Sequence, residues 1–387
     1  MSFHVLKHMF TRCLGVLACI VVLITTISAH AQTSSVYWTN AQNTHNFVYA
    51  TLLTSYNSYR IEPGSSTTHE WYNVSQIYAD TALYKEGDTR YAPYVNNTYS
   101  FMNHMWANTR VGGYYAAANI DGTGAAGDQY VDDNSLAGNV YLDAYEATLQ
   151  QAAYLASAEA IANWLMYSGL WDNTYGGGFW WSTQKQVKPT QSNGLALQLF
   201  IRLYKITGQS YYQSWATSIK NWLESQMYGS NGLYIWEINS TQGGAKQTEN
   251  FTYDNAIMIE ADLLWASVMG DNSYVTKAQN LGIALNTVLW DPTYRVYHFI
   301  SNSTRVNPAW CVWASQAMIR LYERDRNTAW LDYAQQNIDF MNKNLLNSAN
   351  GGYKQWVNVD GTERSSTNEA VDQAWMERTQ ALLALYR

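Results

Sequence analysis

A short motif recurs along this chain of 387 residues at nearly regular intervals. Four of the five copies are turns containing Gly or Asn that are followed by aromatic residues, as in NTYGGGFWW and NSANGGYKQW, and the copy DPTYRVYHF has a proline in the turn instead. Successive copies lie 65, 54, 64 and 56 residues apart and centre on Gly113, Gly178, Gly232, Val296 and Gly352. A unit of about 60 residues holds two helices of ordinary length and their loops, and repetition at such a period indicates stacked helix pairs.

The segments between these turns have helical periodicity. In SLAGNVYLDAYEAT, apolar or small residues fall at positions 136, 137, 140, 141, 144 and 145, which form one face of a helix. Residues 32–387 hold about six units of this size. We therefore predict an all-α fold in which six helix hairpins close into an (α/α)6 barrel, with an open solenoid as the alternative. We expect the turns to cluster on one face, where loops carry function.

The N-terminus has the pattern of a signal peptide. Lys7 and Arg12 precede the apolar run CLGVLACIVVLITTI, and residues 29–31 (AHA) offer a small-x-small cleavage site. We predict cleavage after Ala31, a secreted or periplasmic protein, and a single catalytic domain over residues 32–387. A membrane anchor or lipoprotein modification at Cys19 is the alternative, but the apolar run is short for a membrane span.

Charge and composition narrow the range of partners. Removing residues 1–31 takes away Lys7 and Arg12 and no acid, so the net charge becomes 21 − 30 = −9. This balance argues against nucleic acid and anionic membranes and suits a neutral ligand. The chain has 17 Trp and 31 Tyr, which either pack helix interfaces or stack against sugar rings. Cys311 is then the one remaining cysteine, so no internal disulfide is expected.

The sequence does not support three familiar kinds of site. GTGAAG at residues 122–127 matches a dinucleotide-binding fingerprint, but it has no strand–helix context, and Asp121 and Asp128 would repel a pyrophosphate. The four histidines beyond the leader show no metal-ligand spacing. Cys311 lies in an apolar helical context typical of a core residue rather than a nucleophile. We therefore predict no cofactor and no metal.

Two adjacent aspartates, Asp132 and Asp133, stand at the predicted start of a helix in QYVDDNSLAGNVYLDAY. Acidic residues stabilise helix N-termini, which is one explanation for the pair. The other is catalysis, because adjacent carboxyl groups can lie about 5 Å apart, the separation found in retaining glycosidases. Repulsion raises the pKa of one group, so that one stays ionised while the other keeps a proton to donate. The spacing alone leaves both explanations open.

The Asp pair is the first of three features that occur in order. It is followed by WDNTYGGGFWWSTQ and then by TQSNGLALQLFIRLYKITGQSYYQSWA. Together they resemble glycoside hydrolase family 76, the family of endo-α-1,6-mannanases, and a looser likeness runs from EWYNVSQIYADTAL to the C-terminus. The resemblance implies an (α/α)6 barrel that hydrolyses α-1,6-mannan with retention and without a cofactor. It assigns Asp132 as the nucleophile and Asp133 as the general acid/base.

Six further residues are predicted to contact the substrate, each with packing or helix capping as its structural alternative. They are Trp180, Trp181, Asn193, Tyr253, Asp254 and Asp372. The insert NIDGTGAAGDQY, which precedes the Asp pair, bears on chain-length preference and on endo or exo action.

Two other functions stay open on the sequence. An (α/α)6 enzyme acting on uronic-acid sugars, by hydrolysis or elimination, would need a cationic or His/Tyr cluster for the carboxylate, and few Arg or His stand near the predicted face. A non-catalytic mannan-binding module would use the Asp pair only as a helix cap. We expect a monomer that binds α-1,6-mannan or manno-oligosaccharides, with no nucleic acid and no membrane as partner after signal cleavage.

Overall fold

The computed structural model describes residues 35–147 and 151–387 of the chain. The predicted signal peptide, residues 1–31, lies outside these described residues. Within them the chain forms twelve α-helices: α1 (Val36–Thr51), α2 (Glu70–Lys85), α3 (Ala92–Met102), α4 (Val131–Ala147), α5 (Ala152–Tyr167), α6 (Thr190–Thr207), α7 (Ser210–Trp222), α8 (Thr252–Met269), α9 (Ser273–Val288), α10 (Pro308–Asp325), α11 (Thr328–Asn344) and α12 (Ala370–Leu383). None of these helices is long and apolar enough to cross a membrane.

The helices form two concentric rings. The even-numbered helices form the inner ring. Each packs against the next even-numbered helix, and α12 packs against α2, so the ring closes. Each outer helix from α3 to α11 packs on the inner helix that precedes it in the sequence. Helix α1 has no such predecessor and packs on α12 instead. The closed ring confirms the predicted (α/α)6 barrel and rules out the open solenoid.

Burial follows from the position of each helix in the two rings. The outer helix α7 buries Tyr212, Ala216, Ile219 and Trp222, which form a single stripe at helical spacing. In the inner helix α12, every residue from Ala370 to Leu383 is buried, including the polar ones. The polar side chains of the inner helices must therefore find partners inside the barrel.

Ten short strands lie in the loops between the helices: β1 (Thr67–His69), β2 (Ala117–Asn119), β3 (Val187–Pro189), β4 (Glu237–Asn239), β5 (Ala245–Gln247), β6 (Trp290–Asp291), β7 (Val296–Tyr297), β8 (Arg305–Val306), β9 (Trp356–Asn358) and β10 (Glu363–Ser365). They pair antiparallel in the orders β1–β2, β3–β4–β5, β6–β7 and β8–β9–β10. Strand β1 ends at the residue before α2, and β3 ends at the residue before α6. These ribbons therefore gather where the inner helices begin.

The repeated turns bring one buried aromatic residue each to this end of the barrel. These residues are Tyr114, Phe179, Tyr234, Tyr297 and Tyr353, and a sixth, Tyr59, occupies the same place in the first repeat. The glycine of the motif has a steric role. At Gly178, φ is +84°, and a Cβ would lie 2.4 Å from the indole of Trp222. No other residue fits this backbone without displacing the tryptophan.

A buried side-chain amide fixes each aromatic turn to the barrel wall, and we call this contact the amide clamp. The Oδ1 atom of Asn134 accepts a hydrogen bond from the backbone N–H of Tyr114 at 2.7 Å, and its Nδ2 atom donates to the Tyr114 carbonyl at 3.2 Å. The same pair of bonds links Asn193 to Phe179, Asn255 to Tyr234 and Gln373 to Tyr353. In the first repeat, Asn73 accepts from the N–H of Tyr59.

Each clamp residue on an inner helix is the fourth residue of that helix: Asn73, Asn134, Asn193, Asn255 and Gln373. The fourth residue of α10 is Cys311, which has no amide. In that repeat Asn337 of the outer helix α11 accepts from the N–H of Tyr297 at 3.1 Å and donates to the Cys311 carbonyl. Cys311 is a core residue, as predicted, and burial raises the pKa of its thiol to about 12.

Replacing a clamp amide should destabilise the barrel. In Asn193→Ala the buried N–H of Phe179 loses its acceptor, so we expect the free energy of unfolding to fall by about 1–3 kcal/mol. Chemical denaturation followed by tryptophan fluorescence measures this loss. Asn108→Ala, at an exposed asparagine, is the matched control and should be close to neutral. Equal stability of the two variants would show that the clamp contributes little.

Candidate active site

A cleft of about 340 Å³ opens at the end of the barrel where the inner helices begin. Four tryptophans and two tyrosines supply much of its wall, and three carboxylates face it. Its lining residues are Trp71, Tyr130, Asp132, Asp133, Trp181, Val187, Pro189, Gln191, Trp236, Glu237, Tyr253 and Trp310. Among these described lining residues there is no Lys, Arg or His, so the cleft is suited to a neutral, ring-shaped ligand with apolar faces.

A second cavity, of about 410 Å³, opens at the opposite end of the barrel. It is lined by charged side chains that pair with one another: Arg202 with Asp143 at 2.6 Å, and Arg320 with Glu323 at 2.8 Å. It contains none of the predicted site residues. Although it is larger, the chemistry of the Asp pair lies in the other cleft.

Backbone pairing places the Asp pair and Trp181 next to each other. Helix α4 begins at Val131, whose N–H donates to the carbonyl of Trp181 at 2.8 Å. The N–H of Trp181 donates in turn to Val187 at the start of β3. This arrangement directs the Trp181 indole over the helix start, where Nε1 donates to Oδ2 of Asp132 at 2.9 Å. The backbone N–H of Asp133 donates to Oδ1 of Asp132 at 3.1 Å.

The surroundings of the two aspartates give their carboxyl groups different pKa values. Burial raises the pKa of Asp132 to about 6, opposed by the hydrogen bonds from Trp181 and from the backbone of Asp133. Burial, followed by the neighbouring charge of Asp132, raises the pKa of Asp133 well above its usual range. Near neutral pH, Asp132 is therefore the ionised member of the pair and Asp133 keeps its proton.

Two further buried carboxyl groups surround the pair. Glu70, the first residue of α2, was not predicted from the sequence, and both of its side-chain oxygens are buried without a hydrogen-bond partner. Burial, then Asp133 and Asp132, raise the pKa of Glu70 well above its usual value. Burial also raises the pKa of Asp254 well above its usual value. A hydrogen bond from the backbone N–H of Gln191 opposes this shift, and the charges of Asp132 and Glu237 add to it.

The structure brings together four of the residues predicted to form the site. Asp132, Asp133, Trp181 and Tyr253 all line the cleft. Asp254 is fully buried and does not line the cleft, but it lies close enough to Asp132 for the charge of Asp132 to raise its pKa. Asp372 occupies the first turn of α12, buried, with Oδ1 accepting from the N–H of Ala309 at 2.8 Å. It lies at the same end of the barrel but does not line the cleft.

Trp180 and Asn193 lie away from the cleft. Neighbouring residues of an extended segment point to opposite sides, so Trp181 is 40% exposed while Trp180 is 5% exposed. The Trp180 indole donates to Asp172 at 2.7 Å and packs under the Lys188 ammonium group. The side chain of Asn193 is fully buried in the amide clamp. The geometry gives no support to a substrate contact for either residue.

Several residues that line the cleft were not predicted from the sequence, among them Trp71, Gln191, Trp236, Glu237 and Trp310. The amide clamp provides a signal that could have found some of them. Trp71, Asp132, Gln191 and Tyr253 each stand two residues before a clamp amide, and all four line the cleft. Trp310 also stacks obliquely on Trp71 and Tyr253, with ring centroids 4.8 Å apart in both pairs.

The fold and the site define an (α/α)6-barrel protein with a paired-carboxylate cleft of the glycosidase kind. The sequence matches the profile of Glycosyl hydrolase family 76 over residues 37–298. This chain belongs to that family and is a glycoside hydrolase by membership.

A curated relative is a mannan endo-1,6-α-mannosidase of Candida glabrata, 27% identical over 112 residues. The match covers 26% of this chain and only 25% of that protein's length. Solved structures match more widely. A GH76 α-mannanase of Bacteroides thetaiotaomicron superposes with a TM-score of 0.79 at 19% identity, over 93% of this chain and 98% of that one.

Two other solved structures share this fold but differ in the reaction that their names give. An inactive variant of an α-1,6-mannanase of Salegentibacter sp., with two consecutive aspartates replaced by asparagine, was solved with α-1,6-mannotriose. It superposes with a TM-score of 0.75 at 19% identity, covering 91% of this chain and all of that one. A cellobiose 2-epimerase of Bacillus thermoamylovorans superposes with a TM-score of 0.71 at 12% identity, over 88% and 99% of the two chains. Because one fold hosts different chemistries, the residues of the cleft, and not the fold, determine which reaction is catalysed.

The buried Asp132 should lower stability near neutral pH. A carboxyl group with a raised folded pKa holds protons more tightly when folded, so the free energy of unfolding falls as pH rises from about 4 through about 6. We expect Asp132→Asn to be more stable than the parent at pH 8, by up to about 3 kcal/mol, with the difference shrinking at pH 4. Urea denaturation at the two pH values measures both.

The matched control for this prediction is Glu62→Gln, which removes a carboxylate at an exposed position. It should change stability little at either pH. An Asp132→Asn protein that is no more stable than the parent at pH 8 would contradict the assigned burial of an ionised carboxylate.

Proposed function

We propose that this protein is an endo-α-1,6-mannanase that cleaves mannan with retention, with Asp132 as the nucleophile and Asp133 as the general acid/base. The observation that carries the proposal is the asymmetry of the pair. Trp181 donates to Asp132 and favours its ionised form, while burial and the neighbouring charge of Asp132 raise the pKa of Asp133 and keep its proton in place. A retaining glycosidase needs two carboxyl groups of its own beside the glycosidic bond that is cleaved, one ionised and one protonated.

The two steps follow from these protonation states. In the first, an oxygen of Asp132 attacks the anomeric carbon of a mannosyl residue while the glycosidic bond breaks and the Asp133 proton passes to the leaving oxygen. In the second, Asp133 takes a proton from water, whose oxygen bonds to the anomeric carbon and releases Asp132. Two inversions at the same carbon leave the product with the configuration of the substrate.

The character of the cleft supports a neutral polysaccharide as substrate. Its aromatic walls, including Trp71, Trp310 and Tyr253, match the apolar faces of hexose rings. A uronic-acid substrate would need a cationic partner, and the described lining residues include none. The choice of α-1,6-mannan rests on the family and on relatives named as acting on or binding that linkage.

The Asp pair receives support from one relative in particular. The Salegentibacter enzyme was made inactive by replacing two consecutive aspartates, and the present chain contains one Asp-Asp dipeptide, Asp132-Asp133. We propose that Tyr253, Asp254 and Asp372 assist substrate binding from α8 and α12. Export through a signal peptide ending at Ala31, and a monomeric state, are further parts of the proposal.

The parent protein, from Gln32 onward, should release reducing ends from unbranched α-1,6-mannan as oligosaccharides of mixed length. Asp132→Asn and Asp133→Asn should each lower kcat by ~10³-fold or more, because both groups act in the same two steps. Glu62→Gln is the control and should keep parental activity. Full activity in either aspartate variant would move the catalytic pair elsewhere, and a parent that binds mannan without cleaving it would indicate a binding module.

The stereochemical outcome can be read directly. Proton NMR during the first minutes of hydrolysis should show the α-anomer of the new reducing end before mutarotation supplies the β-anomer. Early appearance of the β-anomer would exclude a covalent intermediate on Asp132.

The hydrogen bond from Trp181 should control the acidic limb of the pH profile. Trp181→Phe removes a donor that stabilises ionised Asp132, so the acidic limb of kcat/KM should move upward from about 6 by about one pH unit. Trp180→Phe removes an indole donor that bonds Asp172 instead and should leave the limb in place. If both profiles coincide with that of the parent, Asp132 is not the group whose ionisation the reaction requires.

A further inference from the structure

A second cluster of titratable side chains lies deep in the barrel wall, away from the cleft. His45 of α1, Asp80 of α2 and Glu377 of α12 meet there, and all three are buried. Asp80 stands ten residues beyond Glu70, so the cluster lies about 15 Å further along α2 than the catalytic end. None of the three residues lines the cleft or has a role in the proposed mechanism.

The geometry is that of a set of ligands converging on one point. The Nδ1 atom of His45 lies 2.9 Å from Oδ1 of Asp80 and 3.3 Å from Oε1 of Glu377. One ligand atom from each of the three residues falls within 4.8 Å of the other two. Tetrahedral zinc has bonds of about 2.0–2.2 Å to nitrogen and oxygen, which place its ligands about 3.3–3.5 Å apart. A small widening at Asp80 would admit such an ion.

The cluster has two carboxyl groups and only one imidazole, so its charge is suited to a bound cation. The ion pairs of Asp80 and Glu377 among the described residues both go to His45. A single imidazolium balances only one of two ionised carboxylates, so the second must either keep a proton or be balanced by a further cation. A divalent cation bound by neutral His45 and both carboxylates makes the group neutral.

Unpartnered polar atoms provide a second, independent observation. Oδ2 of Asp80 and Oε1 of Gln76 are buried without a hydrogen-bond partner. The Gln76 amide points into the cluster, since its Nε2 atom donates to Asp80 at 3.1 Å and to Glu377 at 3.0 Å. Rotation of that amide by half a turn presents Oε1 to the same point as a fourth ligand.

We propose that His45, Asp80 and Glu377, with Gln76, bind a divalent transition-metal ion such as Zn²⁺ that joins the first helix of the barrel to the last. Helix α1 packs on α12, and α12 on α2, where the ring closes. The ligands come from three helices and are separated by up to 332 residues. Such an ion would stabilise the closure of the barrel rather than take part in hydrolysis.

The test uses tag-free protein from Gln32 onward, analysed by inductively coupled plasma mass spectrometry as purified and after refolding from guanidinium with ZnCl2. We expect about one ion per chain in at least one of these preparations. Refolding with EDTA in place of ZnCl2 should lower the Tm by ~5 °C or more. Glu377→Gln and Asp80→Asn should lose the ion. Asp262→Asn, a buried carboxylate that pairs with Lys277 elsewhere, should keep it.

The outcomes separate the proposal from its rivals. Less than roughly one-tenth of an ion per chain in both preparations, with the same Tm in ZnCl2 and EDTA, would overturn it and leave a cluster held by protons alone. An ion retained by both Glu377→Gln and Asp80→Asn would also overturn it, since the metal would then bind elsewhere. The measurement on the parent decides the question even if a variant fails to fold.

Discussion

The amide clamp is the contact on which the rest of this barrel depends. The inner helices are buried on all sides over the turns in which they begin, so hydrophobic contacts alone do not fix where each begins or how it is rotated. A buried amide at the fourth residue, as in Asn134, joins the helix to the aromatic turn before it and satisfies backbone groups that would otherwise be unpaired. In four of the repeats, the side chain two positions before the clamp amide then lines the cleft. The same contact therefore places Trp71, Asp132, Gln191 and Tyr253 around one space.

The site works against the stability that the clamps supply. Glu70, Asp132, Asp133 and Asp254 are carboxyl groups gathered in a poorly hydrated region, and burial raises the pKa of each. Such crowding is unfavourable for folding and is a hallmark of catalytic sites. Trp181 then distinguishes one group from the rest, because its indole N–H selectively favours the charged form of Asp132. The repeat places Trp71, Asp132, Gln191 and Tyr253 at equivalent positions of four inner helices. The Trp181 side chain, from the loop before α6, contacts Asp132 and so gives that position a different electrostatic environment.

The sequence predicted the barrel because the glycines of the turns are required sterically and so mark the repeat. It missed the first repeat, since the turn before Tyr59 contains no glycine and Ser58 stands where three other turns have Gly113, Gly178 and Gly352. It named the Asp pair, Trp180 and Trp181 as candidate site residues, and the pair and Trp181 line one cleft. It could not tell Trp181 from Trp180, since which of two adjacent side chains faces outward depends on the pairing of the strand. It treated Asn193 as an equal candidate for capping and sugar binding, because the partner it holds, Phe179, lies 14 residues earlier in a loop.

Closure of the ring links these local features to the cleft as a whole. The family profile ends at residue 298, yet the cleft wall includes Trp310 of α10, which packs on both Trp71 and Tyr253. Helices α10 and α12 complete the inner ring, and α12 also provides the surface on which α1 packs. Trp71 and Trp310 are far apart in the sequence and meet only when the last helices join the first. The cleft is therefore a property of the closed barrel, and contacts at the junction of α1, α2 and α12 keep Trp71 in register with Trp310 and Tyr253.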